Sequence, residues 1–448
     1  MANSDATEVT FRPKPNLPPP PNTVGAVGWA RKNLFSTWYN TILTVLALWL
    51  IFHLAYTLYD WGIAKAVWEA DSRRQCLDIS PEGACWAGVA HWFWAFMYGR
   101  YPAVEQWRIN LSFVMFAAWM APCWFPRVTG KIGIGLTAVL IFPFFAGYMF
   151  AGGDKGLFLQ VMLSAALVTF GVVWLHVAAM LLTGRSIVAW VVHLSGFAGK
   201  EDRLQKWPVI GLYALAVLVV FVLQSGWQLP EVRTNLWGGL FLTLVISGVA
   251  ITTALPAGVL LALGRRSKMP IIRVSSIAFI ELFRSVPLIT ILFMAVTMMP
   301  LFLPETMVLN RLIQVIIAIC LFAAAYMAEI VRGGLQAIPK GQYEAAQSMG
   351  LSYWKMMALV VMPQALKLMI PNIVGNFIGL FKDTTLVSII GLYDLLLMLK
   401  AVSQNPQWNG LYMEPFIFGA GVFFIFCYAM SKYSQRLERT LGAGQVRR

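Results

Sequence analysis

The chain predicts an all-α polytopic membrane protein of about ten transmembrane helices, and three observations carry that expectation. Its 448 residues are 59% hydrophobic and 12% charged, with a mean hydropathy of +0.68, whereas roughly a quarter of a soluble domain is charged because its surface faces water. Apolar runs of spanning length recur along the whole chain, each near the ~20 residues a helix needs to cross a hydrocarbon core. None alternates with period 2, so helices rather than barrel strands satisfy the backbone inside a bilayer. A soluble enzyme fold and an extended disordered chain are both excluded, since apolar content this high cannot stay solvated.

The first segment, 1–37, carries Pro13, Pro15 and Pro18 to Pro21 beside Arg12 and Lys14; it has nothing to bury and reads as a disordered, Pro-rich cytoplasmic tail. No apolar stretch followed by small residues precedes the first span, so no cleaved signal peptide is expected. Five spans follow at 38–59, 108–125, 131–150, 157–182 and 207–225, and five more at 236–263, 284–303, 311–331, 366–392 and 412–431. The domain reading is a tail at 1–37, additional transmembrane helices at 38–227, and a core at 228–448.

Charge sets the orientation. The 34 basic residues exceed the 20 acidic ones by 14, and they gather between spans: Arg31 and Lys32, Arg127 and Lys131, Arg185 to Lys206, Arg265 to Arg273, Arg332 to Lys355, and the tail from Lys432. With ten spans all of these fall on one side, so both termini are expected in the cytoplasm of a bacterial inner membrane, facing anionic lipid rather than nucleic acid. The largest opposite loop, 60–105, holds Asp60, Glu69, Asp71, Asp78, Glu82 and Glu105 against Lys65, Arg73, Arg74 and Arg100. Cys76 and Cys85 share that loop, where either one bridge or two free thiols fits; Cys123, Cys320 and Cys427 lie within or beside apolar runs as packing residues.

Catalytic signatures are absent from the sequence. It has no G-x-x-x-x-G-K-[ST] phosphate loop and no G-x-S-x-G elbow, and His53, His91, His176 and His193 are spread too widely for a zinc pair. Neither a metal site nor a nucleotide site is expected on this chain. In the spans, His53 and His176 read as neutral side chains bonded to a neighbouring helix. Trp92, Trp94, Trp107 and Trp124 read as interfacial anchors.

The connection Arg332 to Pro363 is too polar to span and too long for a tight turn. Pro339 can start a helix, Glu344 lies in its early turns, Ala345 and Ala346 hold its middle, and Gly350 stops it in the left-handed conformation. Ser352 can cap a second helix opening with Tyr353, Trp354 and Lys355. The product is a bent protrusion expected to display Tyr343, Ala346, Met349 and Leu351 to the cytoplasm, either as a capped loop or as a peg for a groove on a soluble partner.

The pattern EAA at 344–346 followed by Gly350 resembles the EAA loop of ATP-binding cassette (ABC) importer permeases, and further runs extend the resemblance: IELFRSVP at 280–287, YMAEIVRGG at 326–334, IPKG at 338–341, MPQAL at 362–366 and LFKDTTLVS at 380–388. These are similar to the polar amino-acid branch of type I importers over the second half of the chain. The tail and extra leading spans resemble the longer permeases of general L-amino-acid uptake systems of the Aap or Bzt type. One departure is Val360, Val361, Met362 and Pro363 where the family has Ile-x-Leu-Pro. The resemblance implies a five-helix core paired with a second permease subunit. It also implies ATP-binding subunits, with ATP and magnesium held there, docked on the coupling helix of Glu344, Ala345, Ala346 and Gly350, and a periplasmic amino-acid-binding protein that delivers substrate. By that reading the chain itself is not an enzyme.

A path for polar solute is sought among polar residues inside spans. At 100° per residue Asn372, Gly375, Asn376, Gly379, Asp383 and Leu386 share one face of the ninth span, with Lys382 at its edge and Val374, Phe377 and Phe381 opposite. A carboxylate inside a bilayer costs about 3 kcal/mol or more unless paired or wetted, so this face should look into the bundle. Either it meets the charged groups of a zwitterion or it is a network holding helices together. Glu329 is a second candidate for the path, although Arg332, one turn away, can simply pair with it. Glu281 and Arg284 read as elbow residues before the seventh span. A stand-alone secondary carrier or channel, with Asp383 and Glu329 as ion sites, is the competing function; it predicts two similar halves, and no second EAA loop occurs.

Overall fold

The structure, a computed structural model, describes residues 25–125, 128–183, 206–304 and 307–442. It divides into two compact units, Met1–Ala87 and Gly88–Arg448. Apolar runs became helices throughout: seven helices among the described residues are long and apolar enough to cross a membrane, a bent pair makes an eighth, and Val209–Gln224 is a shorter one.

The first unit begins with α1 (Gly25–Asn33), so that part of the expected disordered tail is helical, while 1–24 lies outside the described residues. Helix α2 (Trp38–Tyr59) is capped by Thr37, whose hydroxyl accepts from the Asn40 amide, and runs into a π turn at Asp60–Ala64. No residue of α2 is buried, as suits an apolar helix whose solvent is lipid. The short helix α3 (Arg73–Ile79) follows. Cys76 and Cys85 are bridged, which decides between the two sequence readings. Lys65 sits between Asp60 at 2.8 Å and Glu82 at 2.9 Å, and Trp86 Nε1 donates to the Gly62 carbonyl. A stretch read from sequence as open loop is therefore a small stapled fold.

Helix α4 (Trp86–Tyr98), all but its first two residues in the second unit, is a further helix within the expected loop. The leading spans appear as α5 (Gln106–Met120), α6 (Lys131–Leu140), α7 (Phe142–Ala151), α8 (Leu157–Thr183) and α9 (Lys206–Gln224). The run 131–150 is split at Ile141 because Pro143 has no amide to continue the ladder. Arg108 of α5 is fully buried, donating to Glu105 at 2.7 Å and to the Pro230 carbonyl at 2.9 Å. His176 meets the Thr129 carbonyl at 3.1 Å, in keeping with its structural reading.

Core helices follow as α10 (Gly239–Arg265), α11 (Pro270–Ser285), α12 (Leu288–Thr297), α13 (Met299–Phe302) and α14 (Arg311–Ala337). After them come α15 (Lys340–Ser348), α16 (Tyr353–Met356), α17 (Met362–Asp383), α18 (Leu395–Val402) and α19 (Met413–Gly442). Two expectations need correction. The seventh span is not one helix over 284–303: α11 and α12 meet at 105°, because Pro287 denies Val286 the helical conformation. The ninth is longer than expected, 353–390, and mixed: a π turn at Met357–Val361 precedes α17 and a 3-10 turn at Thr384–Ile390 follows it.

Helix α14 is the axis of the core, with half of its apolar stretch buried, more than any other span. Small residues bring its neighbours close. A Cβ on Gly334 would stand 2.8 Å from the Ala365 carbonyl oxygen of α17, and one on Gly258 of α10 would stand 2.6 Å from the Met327 side chain. One apolar cluster joins Tyr101, Trp119, Phe150 and Leu163 to Phe241, Leu292, Ile319 and Val387. The expected boundary near 228 is thus one of motif content, and packing continues across it.

Asp394 caps α18 from a fully buried position, accepting from the Leu396 and Leu397 amides at 3.2 and 3.0 Å. Burial pushes its carboxyl from an ordinary value of 3.8 up to about 7. A raised acid favours the protonated fold, so its contribution is intact below the ordinary value and is lost as pH rises through about 7. Asp394→Asn keeps an acceptor for the cap and removes the ionisation; it should raise the melting temperature at pH 8 and leave it nearly unchanged at pH 4. An equal or larger gain at pH 4 would contradict the assignment.

Candidate functional site

Two groups of residues meet at one end of the core: the bent protrusion, and a charge cluster beneath it. In the protrusion, Pro339 is extended (ψ 142°) and launches α15, whose end is closed from both sides. Gly350 takes φ +74°; its amide donates to the Gln347 carbonyl at 2.9 Å, and the Leu351 amide donates to the Ala346 carbonyl at 3.2 Å. These two bonds form a Schellman motif, which needs a left-handed residue and so selects glycine. Ser352 stands at the cap of α16 but its side chain makes no capping bond; the Met356 amide bonds to its carbonyl instead.

The exposed face differs from the expected one. Ala346 is buried, and Tyr343 and Leu351 pack with it against Leu335, Ile338, Met356 and Val361. Apolar residues at those positions seat the protrusion on its own spans, because burying them there removes them from water. Outward stand Glu344, Ala345, Gln347, Ser348, Gly350, Met349 at 80% exposure and Trp354 at 67%. The protrusion is pinned at its base by Tyr343, whose hydroxyl donates to the Leu335 carbonyl at 3.2 Å and accepts from Arg266 at 3.1 Å. Gln364 of α17 donates to Gln342 at 3.0 Å. One rigid element thereby touches the ends of α10, α14 and α17.

Beneath it lies Glu329 of α14. One carboxylate oxygen meets Arg332 at 2.7 Å and Arg284 at 3.6 Å; the other meets Arg265 at 2.9 Å. Arg265 in turn reaches Glu281 at 2.9 Å. Pairing with Arg332 was legible as a one-turn spacing. Arg265 at the end of α10 and Arg284 at the end of α11 were missed as partners, although a carboxylate inside a span close to a basic loop was a signal that cations from neighbouring helices converge on it.

On α17 the polar face is present over Met362–Asp383, the α-helical part; Leu386 lies in the 3-10 turn and leaves the face. Asn372 and Lys382 are exposed, Asp383 is half-buried, and nothing lies within 4 Å of a Cβ on Gly375 or Gly379. The Asn376 amide nitrogen is buried without a hydrogen-bond partner. On the opposite side Phe381 packs at 5.2 and 5.4 Å from Phe423 and Phe426 of α19. Among the described residues, Asn372, Asn376, Lys382 and Asp383 form no bond to another helix; Asn372 donates only to Met369 Sδ. Glu329 belongs to the arginine cluster and is not bonded to them.

Residues 254–441 match the binding-protein-dependent transport system inner membrane component family. The chain is 40% identical to the inner membrane amino-acid ABC transporter permease protein YhdY of Escherichia coli, over 96% of this chain and 97% of that one. It is also 40% identical to BztC of Rhodobacter capsulatus, a glutamate/glutamine/aspartate/asparagine transport system permease, with 95% of each covered. Among solved structures, a crystal structure of an amino acid ABC transporter with histidines matches 45% of this chain and 92% of its own at 31% identity and a TM-score of 0.41.

Gly350→Ala meets open space, so its cost is backbone strain alone, about 1 kcal/mol. Amide exchange at 349–352 should rise several-fold, and Gly350→Asn should be milder. Glu329→Gln leaves three guanidiniums facing one another across partly solvated space; a loss of about 2 kcal/mol is expected, read as a lower melting temperature that high salt partly restores.

Proposed function

The chain belongs to the amino-acid ABC transporter permeases, and on that premise we propose that it is the membrane subunit through which an ATP-driven importer moves L-amino acids, with broad specificity, into the cytoplasm. The observation that carries the coupling is the protrusion itself: a nine-residue helix closed by Gly350, apolar side seated on the core and Glu344, Ala345 and Met349 outward. A partner ATPase with a complementary groove would move it as one piece. The push reaches α14 through Leu335 and Ala346, α10 through Arg266, and α17 through Gln364, rocking the core between inward- and outward-open states.

ATP and magnesium belong to that partner in this reading, supported by the missing phosphate loop. A second permease subunit would complete the core, and a periplasmic amino-acid-binding protein would supply substrate. The Cys76–Cys85 bridge supports placing 60–87 in the oxidising periplasm, with both termini in the cytoplasm of the inner membrane. Asn372, Asn376, Lys382 and Asp383 are assigned to the path. A helix-holding network would spend these groups on interhelical bonds, and open space beside Gly375 and Gly379 leaves room for solute. Stand-alone carriage is set aside, since relatives matched over nearly the whole chain are ABC permeases.

The test is reconstitution of the complete transporter in proteoliposomes. Glu344→Lys should abolish most substrate-stimulated ATP turnover while the permease pair still forms. Asp383→Asn should cut uptake at least tenfold with assembly intact. Full coupled uptake in the Glu344→Lys complex would refute the coupling role.

A further inference from the structure

At the opposite end of the core from Glu329 lies a cavity of about 850 Å³, within the ~300–1,000 Å³ range of small-molecule sites. Helices α10 and α14, each 27 residues and so about 40 Å long, separate it from the coupling protrusion. Arg100 after α4, Arg233 before α10 and Arg311 at the start of α14 line it, together with Asp154 and Glu231. None of these five groups is ion-paired among the described residues. Arg100 donates to the Asn235 carbonyl at 3.0 Å and lies over the Tyr393 ring at 4.3 Å; Arg311 reaches only the Ile390 carbonyl at 3.5 Å. At the cytoplasmic end, by contrast, Glu329 and its three arginines close on one another.

The cavity floor is pinned. Gly152 has φ +63°, and a Cβ there would stand 2.2 Å from the Pro230 carbonyl oxygen. Gly153 donates to the Leu229 carbonyl and Val232 to the Ala151 carbonyl, at 2.9 and 2.7 Å. Arg108 donates to Pro230 from below, and Asn310 donates to Thr234. Guanidiniums and carboxylates held apart on a fixed frame keep their hydrogen-bonding capacity for something that enters. Three cations against two anions suit a solute with two carboxylates and one ammonium, since planar guanidiniums pair with carboxylates in two-pronged fashion.

We propose that this cavity is an external vestibule that binds a free acidic L-amino acid, its carboxylates on Arg233 and Arg311 and its ammonium on Asp154 or Glu231, before the solute reaches the polar face of α17. The choice of an amino acid rests on the permease reading above; the charge preference rests on the cavity. Water fills the remaining volume. The leading helices acquire a role, since Arg100 and Asp154 come from that part of the chain.

Equilibrium binding of radiolabelled L-glutamate to the full chain in nanodiscs, with no ATPase and no binding protein, tests this. Saturable binding is expected, with L-lysine and glutarate, which lacks the ammonium, each weaker by about tenfold. Arg311→Gln and Arg233→Gln should each weaken glutamate by about tenfold, and Arg311→Lys should restore part of it. Glu438→Gln, exposed in the last turns of α19 and outside the cavity lining, should leave it unchanged. Absence of saturable glutamate binding overturns the proposal, and so does binding that survives both glutamine variants or falls as far with Glu438→Gln. Coupled uptake by the complete complex is a separate readout, so failure here leaves the permease reading standing.

Discussion

Glu329 carries a negative charge to the place where Arg265 and Arg284, from the ends of two helices, and Arg332, one turn along its own helix, would otherwise repel each other. Arg265 ends α10, Arg284 ends α11 and Arg332 lies one turn along α14. Without a carboxylate among them these guanidiniums would push the ends apart; with it, each is attracted to a common centre. At 14% exposure the carboxylate is partly shielded from solvent screening, while the arginines keep some water and avoid the desolvation cost of deep burial. The near-right-angle break at Val286 and Pro287 follows the same logic. It brings Arg284 to the charge centre while α12 turns away into the core.

Helix α17 is left out of this arrangement, and its freedom has mechanical meaning. It meets α14 through Gly334 and Ala365, backbone against backbone, and meets α19 through Phe381 and its ring neighbours. Such contacts permit sliding at less cost than a broken ion pair, because van der Waals packing between small residues varies gradually with position. Its ends are unusual as well: a π turn leads in and a 3-10 turn leads out. Both are places where the hydrogen-bond register can change without unfolding a helix. The polar face over 372–383 therefore lies on a span that no ion pair among the described residues ties to α10 or α14.

Spans were legible because membrane helices are written in apolar length, and Gly350 was legible because a left-handed helix stop admits few other residues. The disulfide was one of two open readings. What escaped has physical reasons. Ala346 lies in a polar loop, and nothing in its neighbours says that the loop folds back on Met356 and Val361. Helix α3 is short and polar, and α4 is apolar but only 13 residues long, below the ~20 that mark a span, so neither stands out as a spanning run. Arg265 and Arg284 lie 64 and 45 residues before Glu329 in sequence, beyond any local periodicity. The cavity arginines come from the loop after α4, the segment before α10 and the first residue of α14, stretches far apart in sequence whose meeting is a fact of folding alone.

Buried Ala346 gives the two sides of the protrusion different surroundings. Glu344 and Ala345 face outward, where a partner would touch them, whereas Ala346 is wedged into the core and Gly350 fixes the corner behind it. A larger side chain at 346 would lift the helix off its seat, and a charged one at 345 would alter only what meets it. Small size at 346 therefore follows from close packing of the chain, and under the coupling role proposed above small size at 345 would admit close approach of a partner. A lever of the kind proposed would need both, since force applied at its outer face is transmitted only if the inner face has no slack.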